Sequence, residues 1–466
     1  MNYSTQIRLA KKNFSLFSEI TTLRSLFFTI RLLLKLHLIV KIAHFSDQSK
    51  FQKRSVFFFL LFCPLLSANI LDHHPDIYHN DPAFKYQEFE TVINFTPPIE
   101  TVVVGGYIEI DSDFYFGPDQ PKQKFLIHTA RIFFTGDLYN LFNYLLMPRY
   151  DTIGGWNLAY AFLETASPNW GRIRIGQFKQ PFSIEGLKSS AFRTFNEVAL
   201  VVRNYCKTWD IGVMFFGEAW DNQLSYSLAC MNGRKVDKVD IDAGNPVLIG
   251  RINVQLPVSP RFGRMYVGCA YSIGHVNSEM TGDDDFTTQT DNLFWIWNDS
   301  ASFPLVNNGL HQSWDIDFEW IAGSFHFASE FMYTQWGKIE RGYQSASFSG
   351  YGGYAECSYV LTGETKGGDG LFTPFHNFNL CTHEWGAWEV AARYELFYAS
   401  KKMIALGFAE GANYLHGPQV ALNWYLNPRV KVKIDAQYLW FNRGLEIGHR
   451  FFSHEIDMVC RLQAIF

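Results

Sequence analysis

Charged side chains in this 466-residue chain recur at every second position. Arg172 and Arg174 flank Ile173. Arg429, Lys431, Lys433 and Asp435 alternate with Val430, Val432 and Ile434, while Glu389, Arg393 and Glu395 stand opposite Trp388, Val390, Ala392 and Tyr394. Such rows supply neither a nucleophile nor a metal cage. They can set the energy of an ion or polar solute that passes close by, which is the chemistry of a charged ring or constriction. His275, His311 and His416 fall between the apolar runs, in stretches that read as outer loops, and no nucleophile motif accompanies them. No catalytic residue, cofactor or metal is therefore expected, and the chain is read as a non-enzyme. His73, His74 and His79 lie close together among Asp72, Asp76 and Asp81, but their spacing fits no metal site and reads as a polar tail.

A repeat of two belongs to a strand with two unlike faces. Here one face is charged or amide-bearing and the other is apolar and ends in aromatics, as where Val430, Val432, Ile434, Ala436 and Tyr438 lead to Trp440 and Phe441. When nearly every strand repeats this over about ten residues, the pattern is that of a transmembrane β-barrel. Counted along 101–466, it gives about sixteen strands. Short turns alternate with long loops until 362–382, which by parity is a long connection on the side of the short turns. The aromatic Phe466 closes the chain, as bacterial outer-membrane proteins usually end.

Composition agrees. A mean hydropathy of −0.08 excludes a helical membrane protein, and 17% aromatic residues supply interfacial girdles. Residues 1–68 carry ten Lys/Arg against two Asp/Glu, leaving a net charge of −13 for 69–466. That break, with Lys53-Arg54, the apolar run 56–66 and Leu66-Ser67-Ala68, predicts a signal peptide over 53–68. Residues 1–52 read as an N-terminal extension or a start placed too early, 69–100 as a polar periplasmic segment, and 101–466 as the barrel. Of seven cysteines none forms a CxxC pair; whether Cys206, Cys230, Cys269, Cys357, Cys381 and Cys460 pair is open.

Four stretches resemble the phosphate-selective porin O/P family. They are Gly171 to Phe182 (GRIRIGQFKQPF) with Ser189-Ser190, Gly353 to Glu364 ending in Leu-Thr-Gly-Glu, Gly386 to Tyr394 (GAWEVAARY), and Asn423 to Pro428 (NWYLNP). The resemblance implies an all-β transmembrane antiparallel β-barrel of sixteen strands in the cell outer membrane, a homotrimer that passes small solutes. It implies that the third long loop, here 178–208, folds into the pore. Phosphate-specific members place adjacent arginines early in the second strand; the matching positions here are His128 and Thr129, with Arg131 following.

The candidate pore-lining or solute-binding residues are Arg131, Arg172, Arg174, Lys179, Lys188, Arg193, Arg203, Arg393, Lys431 and Lys433. The loop 178–208 is basic inside an acidic body, so the expected solutes are small hydrophilic ones, anions such as phosphate foremost. A sugar-selective or general porin and an adhesin or structural barrel are the alternatives. The expected partners are outer-membrane lipid, solute and further copies of the chain, with no nucleic acid.

Overall fold

A computed structural model describes residues 91–94, 101–116, 122–139, 141–166, 171–206, 208–233, 246–299, 304–367, 373–447 and 450–466. The expected extension, signal peptide and histidine-bearing tail lie outside the described residues. Sixteen long strands follow in chain order. They are β1 (Thr101–Tyr115), β2 (Lys122–Leu138), β3 (Phe142–Asp151), β4 (Gly155–Thr165), β5 (Arg172–Lys179), β6 (Trp209–Ala219), β7 (Leu224–Met231) and β8 (Val247–Gln255). There follow β9 (Arg264–Glu279), β10 (Val306–Ala322), β11 (Phe325–Arg341), β12 (Gln344–Val360), β13 (Ala387–Ala399), β14 (Tyr414–Tyr425), β15 (Val430–Ile447) and β16 (Arg450–Ile465).

Each strand pairs antiparallel with the next, and β16 returns to β1, with Tyr107 opposite Ile465 and Tyr115 opposite Asp457. The ring is closed and has no open edge, the condition for a sheet to cross a bilayer. A short strand, Thr91–Asn94, pairs with the start of β1 within the segment read as a polar tail.

Burial is inverted relative to a soluble protein. On β14, Gln419 is 2% exposed and Val420 57%; on β15, Asp435 is 1% exposed and Ile434 39%. The polar face is the inside, and the apolar face is left for lipid. Outward aromatics gather near both strand ends. Trp388 stacks on Trp424 at 5.1 Å toward one end, and Tyr351 stacks on Tyr398 at 4.7 Å toward the other. Such girdles belong at the two membrane interfaces.

Several expected loops are strand. The expected break between Gln335 and Tyr351 is a hairpin whose turn is two residues, Gly342 and Tyr343, with Gly342 in the left-handed region at φ 57°. A bulge between Trp336 and Ile339 had hidden the alternation there. Likewise β3 continues to Asp151, so β3 and β4 are joined by three residues and the alternation of short and long connections is not strict. His275, His311 and His416 lie within β9, β10 and β14 rather than in loops. His311 stacks on Trp336 at 5.1 Å, and His416 Nδ1 is 2.7 Å from the Tyr394 hydroxyl. All six described cysteines are free.

The inner face is not polar throughout. Toward the end of the barrel that carries the 180–208 segment, Ile339, Phe348, Phe397, Leu415 and Leu439 are inward and fully buried. They pack against Phe286, Phe294, Trp295, Trp297 and Phe408. These come from the β9–β10 and β13–β14 connections, whose strands Phe286–Thr287, Leu293–Trp297 and Ala409–Gly411 form a small separate sheet. One sector of the mouth is therefore filled by an apolar plug, which leaves a polar passage elsewhere.

Candidate functional site

The segment between β5 and β6 lies against the polar inner face. It contains helix α1 (Ile184–Leu187), capped by Ser183, a 3-10 turn at Ser190–Phe192 and helix α2 (Leu200–Tyr205). Wall side chains bind its main chain. Lys433 Nζ donates to the carbonyls of Arg193 (3.0 Å) and Phe195 (2.8 Å), and Lys431 Nζ to that of Ala191. Arg393 donates to Glu185 (3.2 Å) and to the Glu197 carbonyl (3.1 Å), and Arg251 to the Phe182 carbonyl (2.7 Å). Carboxylates accept its amides: Glu330 from Ile184 N (3.1 Å), Asp435 from Asn196 N (3.1 Å) and Glu395 from Leu200 N (2.8 Å). From the 361–386 connection, Lys366 Nζ donates to Thr194 Oγ1 at 2.8 Å. A segment with little regular structure has its backbone groups satisfied by charged side chains of the wall.

This separates the expected site residues into groups. Arg393, Lys431 and Lys433 direct their charges at the segment. Lys188 pairs with Glu319 at 2.6 Å; Arg203 pairs with Glu197 at 3.3 Å and with Asp291. Burial alone would lower the Lys188 pKa, but Glu319 and further carboxylates outweigh it and raise it. Arg172 and Arg174 share one carboxylate, Glu164, at 3.1 and 2.7 Å, and both lie over the Phe216 ring. Arg193 has no carboxylate within ion-pair distance among the described residues; its Nη2 lies 3.5 Å from the Asn196 carbonyl.

Arg131 and Lys179 meet at a place the sequence did not mark. Arg131 on β2 stands directly opposite Arg149 on β3. Like charges in that position repel, and here both guanidiniums lie over the indole of Trp209, at 5.3 and 5.1 Å, with Lys179 Nζ at 5.4 Å from the same ring. The ring's negative face offsets part of the repulsion. Arg149 meets Asp151 at 3.3 Å; Arg131 meets no carboxylate among the described residues, only Thr129 Oγ1 at 3.1 Å. The Trp209 Nε1 donor is buried and has no acceptor among the described residues. Three cations and an unused donor thus converge on one point.

Members of this cluster line three cavities. One of about 910 Å³ is lined by Arg149, Arg203 and Trp209, and one of about 300 Å³ by Arg131, Arg149, His128 and Glu197. A third, of about 330 Å³, is lined by Arg172, Arg174, Lys179 and Lys188 together with turn residues Asn222 and Gln223. Sequence reading missed Arg149 because it ended the strand at Met147, whereas β3 runs on to Asp151 with Leu145, Met147 and Arg149 on one alternation. It missed Trp209 because an isolated tryptophan at a strand start reads as a girdle residue.

Comparison with known proteins agrees with this architecture. The family model described as phosphate-selective porin O and P matches residues 102–242 and 276–446. The chain is 27% identical over 318 residues to Porin O of Pseudomonas aeruginosa, covering 63% of this chain and 70% of that one. Among solved structures it is similar in fold to the outer-membrane channel DcaP of Acinetobacter baumannii, with TM-score 0.52, 8% identity and coverage of 79% and 97% of the two chains. The anion-selective porin from Comamonas acidovorans is similar at TM-score 0.50 and 11% identity, covering 79% and 100%.

Proposed function

The chain belongs to the phosphate-selective porin O and P family, and we infer that its selecting passage runs past Arg131, Arg149, Lys179 and Trp209 and favours small oxyanions such as phosphate. Family and fold make it an outer-membrane porin, a water-filled channel rather than a catalyst. The observation that carries the anion reading is the convergence of three cations and a Trp209 N–H without an acceptor among the described residues, which between them line three cavities. In a narrow passage bounded by protein, local charge governs the energy of an ion more than total charge does. The 180–208 segment forms the constriction in this reading. Its wall partners hold it inward, and the apolar plug confines solute to the opposite sector. The homotrimer implied by the family and cleavage after residue 68 complete the reading. Analytical ultracentrifugation and N-terminal sequencing of outer-membrane material test those two parts.

The deciding measurement is the reversal potential in a KCl gradient across a planar bilayer. Wild type is expected to prefer chloride, and Arg131→Glu with Arg149→Glu to lose or invert that preference. Cation preference in wild type, unchanged by the double substitution, would overturn the reading. Arg193→Glu with Lys188→Glu asks the same of the segment itself.

A further inference from the structure

We propose that Asp111, His128 and Glu197 form a binding site for a divalent transition-metal ion of the zinc class. Asp111 comes from β1, His128 from β2 and Glu197 from the 180–208 segment, and one ligand atom of each lies within 4.8 Å of the others. His128 Nδ1 is 3.5 Å from Asp111 Oδ2 and 3.4 Å from Glu197 Oε1. Those separations are long for an N–H···O bond. They match the roughly 3.3–3.4 Å between two ligand atoms that each sit 2.0–2.1 Å from a tetrahedral zinc.

The backbone is built to aim the imidazole there. The β1–β2 register shifts between Glu109 and Ile110: Glu109 faces Thr129 and Ile110 faces Ile127, so His128 is the extra, unpaired residue of a bulge. The bulge keeps His128 on the inner row that runs through Lys124 and Leu126, while Thr129 and Arg131 begin a shifted inner row. The same residue that departs from the family's arginine is therefore turned into the lumen. It lines the cavity of about 300 Å³ together with Asp111 and Glu197, so an ion can enter and a water or solute oxygen can take the fourth position.

Arg461 is the competitor. Its Nη2 donates to the same two oxygens, Asp111 Oδ2 at 2.6 Å and Glu197 Oε1 at 2.8 Å. It has somewhere to go. Glu109 is fully buried, both its carboxylate oxygens lack a hydrogen-bond partner among the described residues, and Arg461 Nη1 is already 3.6 Å away. A rotation toward Glu109 exchanges the Asn196 carbonyl, which Arg461 Nη1 now holds at 2.8 Å, for that carboxylate and withdraws Nη2 from the site, while Arg461 Nε, now 2.7 Å from Asp111 Oδ1, stays beside the ligand and orients it. Glu109, Asp111 and Glu197 face Arg461, Arg203 and Arg193, with Lys433 and Arg131 beside Glu109, so the ion is held by its ligand bonds and not by a surplus of negative charge. A bound ion ties the segment to β1 and β2 and adds two positive charges beside Arg131.

The test is calorimetric titration of the detergent-solubilised, EDTA-treated protein with ZnCl2, with MgCl2 as the hard-cation control. Wild type is expected to show one saturable zinc site and none for magnesium. His128→Ala should abolish it; Cys381→Ser with His383→Ala, which removes an exposed alternative, should leave it unchanged. Glu109→Gln keeps all three ligands but removes the carboxylate that receives Arg461, and should weaken zinc by about tenfold or more. Zinc uptake that is absent in wild type, equal in His128→Ala, or lost only with Cys381 and His383 overturns the proposal. If His128→Ala does not fold, zinc affinity unchanged in Glu109→Gln overturns it.

Discussion

Asp435 on β15 holds Asn196 by both its backbone and its side chain. Asn196 N donates to Asp435 Oδ2 at 3.1 Å and the Asn196 amide donates to Oδ1, across 239 positions of sequence. Gln419 donates to the same carboxylate at 2.7 Å. Charge-assisted bonds of this kind contribute about 1.5–3 kcal/mol each. Asp435→Ala is expected to release the middle of the 180–208 segment without opening the barrel. Single-channel recording should then show higher conductance with greater open-channel noise, while the protein still folds. Unchanged current would mean that Lys433 and Arg461 hold the segment without Asp435.

The strands were legible because lipid outside and charge inside force a period of two, as on β15. The legible pattern stopped where the physics changes. Phe348, Phe397, Leu415 and Leu439 are inward yet apolar because a plug from distant loops covers them in place of water. Nothing local to those residues says so. The same holds for Lys431 and Lys433. Their place on the inner row was evident, but not that their ammonium groups bind carbonyls some 240 positions away. The cluster on Trp209 joins β2, β3, β5 and β6, and the bulge at His128 shifts the inner face of β2 by one residue just before Arg131.

Neighbouring residues on β15 separate the two faces experimentally. Val432 is outward and Lys433 inward, 1% exposed. Val432→Arg should destabilise the folded barrel by roughly 2–4 kcal/mol, the cost at mid-membrane depth. Lys433→Gln should leave the barrel folded and alter conduction, because the ammonium that binds Arg193 and Phe195 carbonyls is lost. Urea refolding into lipid vesicles and bilayer currents read the two; interchanged outcomes would place the register one residue off.

Glu164 neutralises only part of the charge on Arg172 and Arg174. Glu164→Gln keeps the shape and removes the negative charge beside the cavity of about 330 Å³. Anion preference should rise, seen as a shift of the reversal potential toward that of chloride. Some stability is lost as well, since two buried guanidiniums lose their carboxylate. A shift toward cations would mean that this vestibule is off the conducting path.

Two ties of the segment titrate in opposite senses. Burial alone would raise the Glu197 pKa, but His128, Arg461, Arg203 and Arg193 outweigh it and hold it well below its ordinary 4.5. Its contribution is therefore full above that ordinary value and is lost as pH falls toward the depressed one. Lys188 is raised above its ordinary 10.5, so its contribution is full below 10.5 and is lost as pH rises through the raised value. Loss of the Glu197 tie should accordingly add conductance noise as pH falls below about 4.5, and loss of the Lys188 tie as pH rises beyond about 10.5, with Glu197→Gln removing the acid contribution of that residue alone. An acid limb that persists in Glu197→Gln would assign it to another carboxylate of the wall.

Helix α2 seats on β12 because two inward positions there are glycine. A Cβ on Gly350 would lie 2.1 Å from the Tyr205 hydroxyl oxygen, and one on Gly352 would lie 3.0 Å from Val201 Cβ. The room matters because Tyr205 reaches past β12 to donate to the Tyr398 carbonyl at 2.7 Å and stacks on Phe397 at 4.6 Å. Gly350→Leu should therefore push Tyr205 off both partners and shift the end of the segment, leaving the strand ladder intact. The expected result is altered conductance with the far-ultraviolet spectrum of a folded barrel. Tyr205→Ala in the same background tests the cause, since removing the ring relieves the clash and should restore the current toward that of Tyr205→Ala alone. Identical currents in Gly350→Leu and wild type would show that α2 is not held by this contact.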